Sequence, residues 1–269
     1  MPDWMSYVAV LRGSGVTAAT SATINPDAVS GLVAWFSADS GAYQTSLFLV
    51  ASTGGDSVGG WRDRSPGAKD ATQANVLLTP TLSNNAINSL PSIDFNGTDQ
   101  FLSANDIATI FTGTANAPAT FFGVFKTDAI TTTQDYFMMG RNSSATTLMG
   151  YDVLNTSLYR SLRRGDDGVL KTHTGGAVTT AWKLFNSIFI NGTSSNLYIN
   201  GALVGGQNND FSGAAVTLDR ASIGARDSGG TRSNYVNGQI AEIILYNTDI
   251  SESDRVGVQN YLNDKYAIY

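Results

Sequence analysis

The chain has 269 residues, of which 42% are apolar and only 14% charged, with a net charge of −6 and no cysteine. This length can bury a sizeable core, and the acidic balance argues against a phosphate-binding surface, so nucleic acid is not an expected partner. The lack of cysteine excludes disulfides and thiolate metal sites. No apolar stretch approaches the ~20 residues needed to span a bilayer, so no membrane partner is expected.

Residues 1–28 differ from the rest of the chain and are predicted to form an N-terminal extension. An apolar cluster comes first, and the stretch from Gly13 to Ile24 is too poor in large side chains to build a core. We interpret the extension as an arm that docks on a neighbouring subunit or a capsid surface, with an extra edge strand or a cloning remnant as alternatives. The predicted docking residues are Trp4, Met5, Tyr7, Val8, Val10 and Leu11.

Residues 29–269 are predicted to form one domain. Short alternating segments, such as residues 119–127 and 196–200, are bounded by turn residues in a chain with 28 glycines. This pattern is typical of an all-β sandwich or barrel. Asn-Gly pairs favour tight hairpin turns, and they begin at Asn96, Asn191, Asn200 and Asn237. The clearest hairpin joins residues 197–199 to residues 202–204.

Aromatic residues divide into predicted core residues and candidates for an exposed sugar-contacting ring. Core packing is the expectation for Trp35, Trp61, Trp182, Phe121, Phe122 and Phe125. Rings beside Gly, Asn or Asp are candidates for exposure, namely Tyr43, Tyr136, Tyr151 and Tyr235.

The segment from Tyr159 to Gly168 concentrates three arginines and contains the tripeptide Arg164-Gly165-Asp166. On a loop tip, this tripeptide could engage an integrin. We interpret the segment instead as ordinary turn chemistry between two strands, with local charge balance between its arginines and aspartates.

No catalytic residues are predicted. The two glutamates, Glu242 and Glu252, do not form the paired carboxylates of a glycan hydrolase, which remains the alternative. His173 is the only histidine and is expected at the surface, and the chain contains no Gly-x-Ser-x-Gly elbow. No cofactor is expected; the alternative is a calcium ion that is bound by oxygen ligands. The candidate ligands would be Asp166, Asp167, Asp219 and Asp227.

The C-terminal segment predicts a buried strand followed by a helix. From Ile240 to Tyr246 both alternating faces are largely apolar, which is typical of a strand covered on two sides. Ser251 can cap a helix with Asp254 three residues on, and Val258, Tyr261 and Leu262 then share one helical face.

This ending resembles that of laminin-G-like domains of the bacterial and phage type, in the concanavalin A-like lectin/glucanase superfamily. Further matching segments lie upstream, in the family's order, at residues 31–41, 61–73, 91–103, 119–127, 196–204 and 221–226. The resemblance implies a concanavalin A-like jelly-roll β-sandwich with a short C-terminal helix over residues 29–269. It leaves the function open, because the superfamily includes lectins, hydrolases, adhesion modules and virion proteins.

The organisation of the chain favours a non-enzymatic phage virion protein, such as a capsid decoration subunit, head fibre or tail adhesin. The sequence starts at a methionine and stops with the last residues of the fold, without a linker or anchor. The expected location is the virion, and the expected partners are other virion proteins or further copies of the chain. The alternative is a carbohydrate-binding or adhesion module of a cellular surface protein, located outside the cell and contacting a surface glycan.

Overall fold

The computed structural model describes residues 22–190 and 194–269. The predicted docking residues 4–11 and the Asn-Gly pair at Asn191 therefore lie outside the described residues. The elements in chain order are β1 (Leu32–Ser37), β2 (Ala42–Tyr43), β3 (Gly60–Trp61), β4 (Ala71–Thr72), β5 (Thr81–Ile87), β6 (Leu90–Asn96), β7 (Leu102–Ser103), α1 (Asn105–Phe111), β8 (Ala119–Thr127), β9 (Gln134–Arg141), β10 (Ser144–Val153), β11 (Leu158–Arg164), β12 (Leu170–Ala177), β13 (Lys183–Ile190), β14 (Ser194–Ile199), β15 (Ala202–Leu203), β16 (Arg220–Ile223), β17 (Arg226–Ser228), β18 (Thr231–Ser233), β19 (Asn237–Tyr246) and α2 (Glu252–Tyr266).

The strands form two antiparallel sheets that pack as a sandwich, which confirms the predicted all-β fold. The eight-stranded sheet runs β15-β14-β13-β8-β19-β6-β5, with β1 also paired to β19. The nine-stranded sheet runs β12-β11-β10-β9-β16-β7-β4-β3-β2, and β17 and β18 form a separate hairpin. None of the helices in the described residues is long and apolar enough to cross a membrane.

The main core lies between the two sheets and is rich in aromatic side chains. Phe125 stacks on Tyr136 with the ring centroids 4.0 Å apart, and Tyr151 stacks on Phe185 at 4.7 Å. The prediction that the rings of Tyr136 and Tyr151 could be exposed is therefore wrong. Both side chains are fully buried, because their strands point them into the core. Tyr43 and Tyr235 are half-buried. Burial is confirmed for Trp35, Trp61, Phe121, Phe122 and Phe125, whereas Trp182 is half-buried.

Helix α2 covers the outer face of the eight-stranded sheet, which explains why both faces of β19 are apolar. Ser251 accepts a hydrogen bond from the backbone N–H of Asp254, as the predicted cap requires. Val258 and Leu262 are fully buried in a second apolar cluster that includes Trp35 and Ile244 of the sheet.

Residues 22–28 also pack against this region. The backbone N–H of Ile24 donates to the carbonyl of Gly257, and the Tyr246 hydroxyl donates to the carbonyl of Pro26. The packed part of the chain thus includes the end of the segment predicted as an extension.

Two Asn-Gly pairs show why local sequence alone does not fix a turn. Asn200 and Gly201 join β14 to β15 with φ values of 49° and 79°, as the predicted hairpin requires. Asn237 begins β19 instead, where it pairs with Asn96 of β6, so the turn predicted there is wrong. The pairing of β19 with its neighbours in the sheet overrides the local turn preference.

Candidate functional site

The candidate site is a cleft on the face of the nine-stranded sheet that is turned away from the main core. Alternate residues of β10 and β11 point in opposite directions, so Tyr151 and Tyr159 enter the core while Asp152 and Arg160 face outward. The β17–β18 hairpin supplies Arg226 to the same cleft. We call this cleft, of about 250 Å³, the arginine cleft; it is lined by Thr133, Leu148, Leu154, Arg160, Leu162, Arg164, Leu170, Arg226 and Asn234.

Two carboxylates beneath the arginine cleft hold its arginines in place. Asp135, Asp152 and Arg160 are cross-strand neighbours on β9, β10 and β11. Arg160 forms a bidentate pair with Asp152, with its Nε 2.9 Å from Oδ1. The Nε of Arg226 lies 2.6 Å from Oδ2 of Asp135, and the amide of Asn234 donates to the same carboxylate.

The buried carboxylates and the partly exposed guanidinium groups give the cleft its charge. The side chains of Asp135 and Asp152 are inaccessible to solvent, whereas those of Arg160 and Arg226 are 15% and 23% exposed. Burial raises the pKa of Asp152 to about 7, against the opposing hydrogen bond from Arg160. Burial also raises the pKa of Asp135, against the charge of Arg226. With Arg164 also in its wall, the cleft presents a net positive charge at neutral pH.

The raised pKa of Asp152 makes stability depend on pH in a defined direction. Between about pH 4 and pH 7 the folded state keeps a proton that the unfolded chain has released, because an unperturbed Asp has a pKa near 3.9. The free energy of unfolding should therefore fall as the pH rises across this interval. We expect the Asp152→Asn variant to show a smaller fall between pH 5 and pH 7.5, measured by chemical denaturation.

The matched control for this pH experiment is Asp210→Asn, because the Asp210 side chain is 81% exposed. The control should reproduce the pH dependence of the unchanged protein. An identical pH dependence in the Asp152→Asn variant would contradict the assignment.

The arginine cleft combines charged and apolar surface. Arginine has five N–H donors in a planar fork, and Arg160 and Arg226 each direct only part of that fork at an aspartate. Leu154 is half-buried and Leu170 is exposed in the wall of the cleft, above Leu148 and Leu162, which are fully buried. A cleft of this composition can bind a carboxylate through the arginines and an apolar group through the leucines.

The sequence-predicted calcium candidates are engaged by their own chain. Asp166 accepts hydrogen bonds from Thr147 and Thr217, and Asp167 accepts one from the backbone N–H of Val169. Asp219 accepts from the backbone N–H of Asn142, and Asp227 pairs with Arg232. No group of three or more His, Cys, Asp or Glu residues that could hold a metal occurs in the described ranges 22–190 and 194–269. Calcium binding stays a prediction.

His173 is buried, so its predicted surface position is wrong. Its Nδ1 lies 3.0 Å from the Ser195 hydroxyl and its Nε2 lies 3.1 Å from the Val204 carbonyl. These partners lie 22 and 31 residues away in sequence. Burial lowers the pKa of His173, which is consistent with a neutral structural side chain.

The five charged residues of the arginine cleft were not predicted as a site; they are Asp135, Asp152, Arg160, Arg164 and Arg226. Arg160 was interpreted as part of the local charge balance with the aspartates of residues 159–168, but it pairs with Asp152 instead. The one local signal was the spacing of Asp152 and Arg160 on either side of the polar turn Asn155–Ser157, which places them opposite each other in a hairpin. Arg226 lies 91 residues from Asp135, so the sequence carries no local signal for that pair.

The family model of the sialidase N-terminal domain matches residues 82–261. The fold is similar to the CBM40 of the Ruminococcus gnavus IT-sialidase bound to α2,3-sialyllactose, with a TM-score of 0.53, 16% identity, and 62% of this chain and 95% of that chain covered. The same CBM40 bound to α2,6-sialyllactose gives a TM-score of 0.53, 17% identity, and 62% and 96% coverage. Trypanosoma rangeli sialidase in complex with 2,3-difluoro-KDN gives a TM-score of 0.54 and 16% identity, with 87% of this chain and 33% of that chain covered. No curated protein matches the chain.

Proposed function

We propose that this chain, which belongs to the sialidase N-terminal domain family, is a non-catalytic carbohydrate-binding module for sialylated glycans. The arginine cleft is the observation that carries the proposal. The structures of the R. gnavus CBM40 with two sialyllactose isomers support the ligand class. The protein would then act outside the cell or at a cell surface, where such glycans are displayed.

The chemistry of a sialic acid matches the chemistry of the arginine cleft. A sialic acid carries a carboxylate that is ionised at neutral pH, and Arg160 and Arg226 offer charge-assisted hydrogen bonds to it. Its acetamido methyl group can pack on the leucine side chains, and its hydroxyls can reach polar groups such as Thr133 and Asn234.

The proposal includes no hydrolytic step. Glu242 is buried beneath α2, and the exposed Glu252 pairs with the buried Arg255 of the same helix. These two residues therefore do not form the flanking carboxyl pair that most glycosidases use; sialidases use a tyrosine nucleophile instead of such a pair. Glu242 instead binds Lys265 and Tyr266 of α2, and Glu252 forms an ion pair within that helix.

The comparisons favour the carbohydrate-binding alternative over the predicted phage virion subunit. The matched family and the similar structures are sialidases or parts of them, and none of those reported above is a virion protein. The laminin-G-like resemblance agrees with this result at the level of the lectin-like sandwich. The virion role has no support from these comparisons.

Arginine-to-lysine variants test the proposal, because they keep the positive charge beside each buried aspartate and remove the planar fork. Arg226→Lys and Arg160→Lys should each weaken binding of 3′-sialyllactose by about 10-fold or more, since a hydrogen bond to a charged group contributes roughly 1.5–3 kcal/mol. Titration calorimetry gives the dissociation constants.

The control is Arg62→Lys, which lies beside β3 toward the opposite edge of the nine-stranded sheet. Its dissociation constant should equal that of the unchanged protein. If both cleft variants retain full affinity, or if the unchanged protein does not bind sialyllactose, the proposal is wrong.

A further inference from the structure

The β17–β18 hairpin separates the arginine cleft from a second, larger cleft. Successive residues of the hairpin contribute to opposite sides: Arg226 and Asn234 line the arginine cleft, whereas Asp227 and Tyr235 line the other. We call this other cleft, of about 450 Å³, the hairpin cleft; its wall includes Asp99, Phe101, Arg220, Asp227, Arg232 and Tyr235.

The hairpin cleft differs from the arginine cleft in its charge. It contains two arginines and two aspartates, whereas three arginines line the arginine cleft above two aspartates whose pKa values are raised. Arg232 and Asp227 pair across the hairpin with Nη2 and Oδ2 2.6 Å apart. Asp219 also lies 3.7 Å from Arg220, so the hairpin cleft carries no net positive charge and does not favour an anion. We therefore expect an uncharged ligand.

The polar and aromatic groups of the hairpin cleft suit a sugar. The guanidinium of Arg232 lies 3.9 Å from the ring centroid of Phe101, which fixes its plane over an aromatic surface. A guanidinium can donate to one hydroxyl of a vicinal diol, and the carboxylate beside it can accept from the next hydroxyl. Tyr235 adds an aromatic ring in the same wall, where the C–H face of a pyranose can pack.

From these observations we propose that the hairpin cleft is a second glycan-binding site, which takes a neutral hexose. The site goes beyond the sialic acid site of the proposed function and does not depend on it. A glycan ligand would then meet two sites of different charge on the two sides of one hairpin.

The test is an NMR titration of the full chain with the methyl glycosides of galactose, glucose and mannose. We expect at least one of them to shift the amide signals of residues 230–235, with a dissociation constant on the order of 1 mM, as for a small ligand with few contacts. Thr231→Trp fills the hairpin cleft from an exposed position and should abolish these shifts. Leu170→Trp fills the arginine cleft in the same way and should leave them unchanged.

A second pair of variants guards against a folding defect in Thr231→Trp. Tyr235→Ala removes the ring and should weaken hexose binding by about fivefold or more, whereas Tyr235→Phe keeps the ring and should retain most of it. If no hexose shifts residues 230–235, or if the shifts survive Thr231→Trp, the proposal is wrong.

Sialyllactose separates this proposal from the proposed function. Leu170→Trp should abolish the contribution of the sialic acid carboxylate to binding and leave hexose binding in place. Hexose binding without any sialic acid binding would overturn the proposed function and support the second site.

Discussion

Deleting residues 251–269 is expected to leave the protein insoluble or without fixed tertiary structure. The deletion removes α2, from which Val258, Leu262 and Tyr266 are fully buried against the eight-stranded sheet. Each such side chain contributes roughly 1.5–3 kcal/mol when fully buried. Their sum approaches the whole free energy of unfolding of a typical domain, about 5–15 kcal/mol.

Near-ultraviolet circular dichroism and thermal denaturation measure this effect. The matched control is a deletion of residues 267–269 alone, which begins after the end of α2 and removes no fully buried side chain. The control should stay folded with a small decrease in melting temperature. A soluble 1–250 fragment with an unchanged melting temperature would show that α2 does not stabilise the domain.

The last strand and α2 could be predicted from the sequence because their signals are local. Ser251 and Asp254 form the cap within four consecutive residues, and both faces of β19 are apolar along a single strand. The resemblance between short segments added the order of the strands. The sandwich was therefore predictable before any long-range contact was known.

The arginine cleft could not be predicted, because it depends on contacts between distant parts of the chain. Arg226 meets Asp135 only after β17 has been placed beside β9, and the identity of its partner changes with any shift in register. The same reason explains the wrong surface prediction for His173. Its partner Ser195 lies in β14 of the other sheet, and its partner Val204 directly follows β15 of that sheet. Polar residues in strands therefore gave the least reliable predictions.

Glu242 illustrates how a buried charge ties α2 to the sheet. Its side chain is inaccessible to solvent and accepts hydrogen bonds from Trp35 Nε1 at 2.7 Å, Ser37 Oγ at 3.1 Å, Lys265 Nζ at 2.7 Å and the Tyr266 hydroxyl at 2.6 Å. Burial by itself would lower the pKa of Lys265, but the carboxylate of Glu242 raises it above its usual value. Lys265 is thus charged at neutral pH, and its ammonium group lies 2.7 Å from the buried carboxylate of Glu242.

Replacing Lys265 by methionine should lower the free energy of unfolding by about 3–5 kcal/mol, because it leaves the Glu242 carboxylate buried without its cation. Chemical denaturation at pH 7 measures the change. The double variant Glu242→Gln/Lys265→Met should recover most of the loss, since the uncompensated charge is then gone. Lys126→Met is the control, because Lys126 pairs with a partly exposed Asp128 at 3.1 Å and its loss should cost about 1 kcal/mol or less. Equal effects of Lys265→Met and Lys126→Met would show that the buried pair does not hold α2 on the sheet.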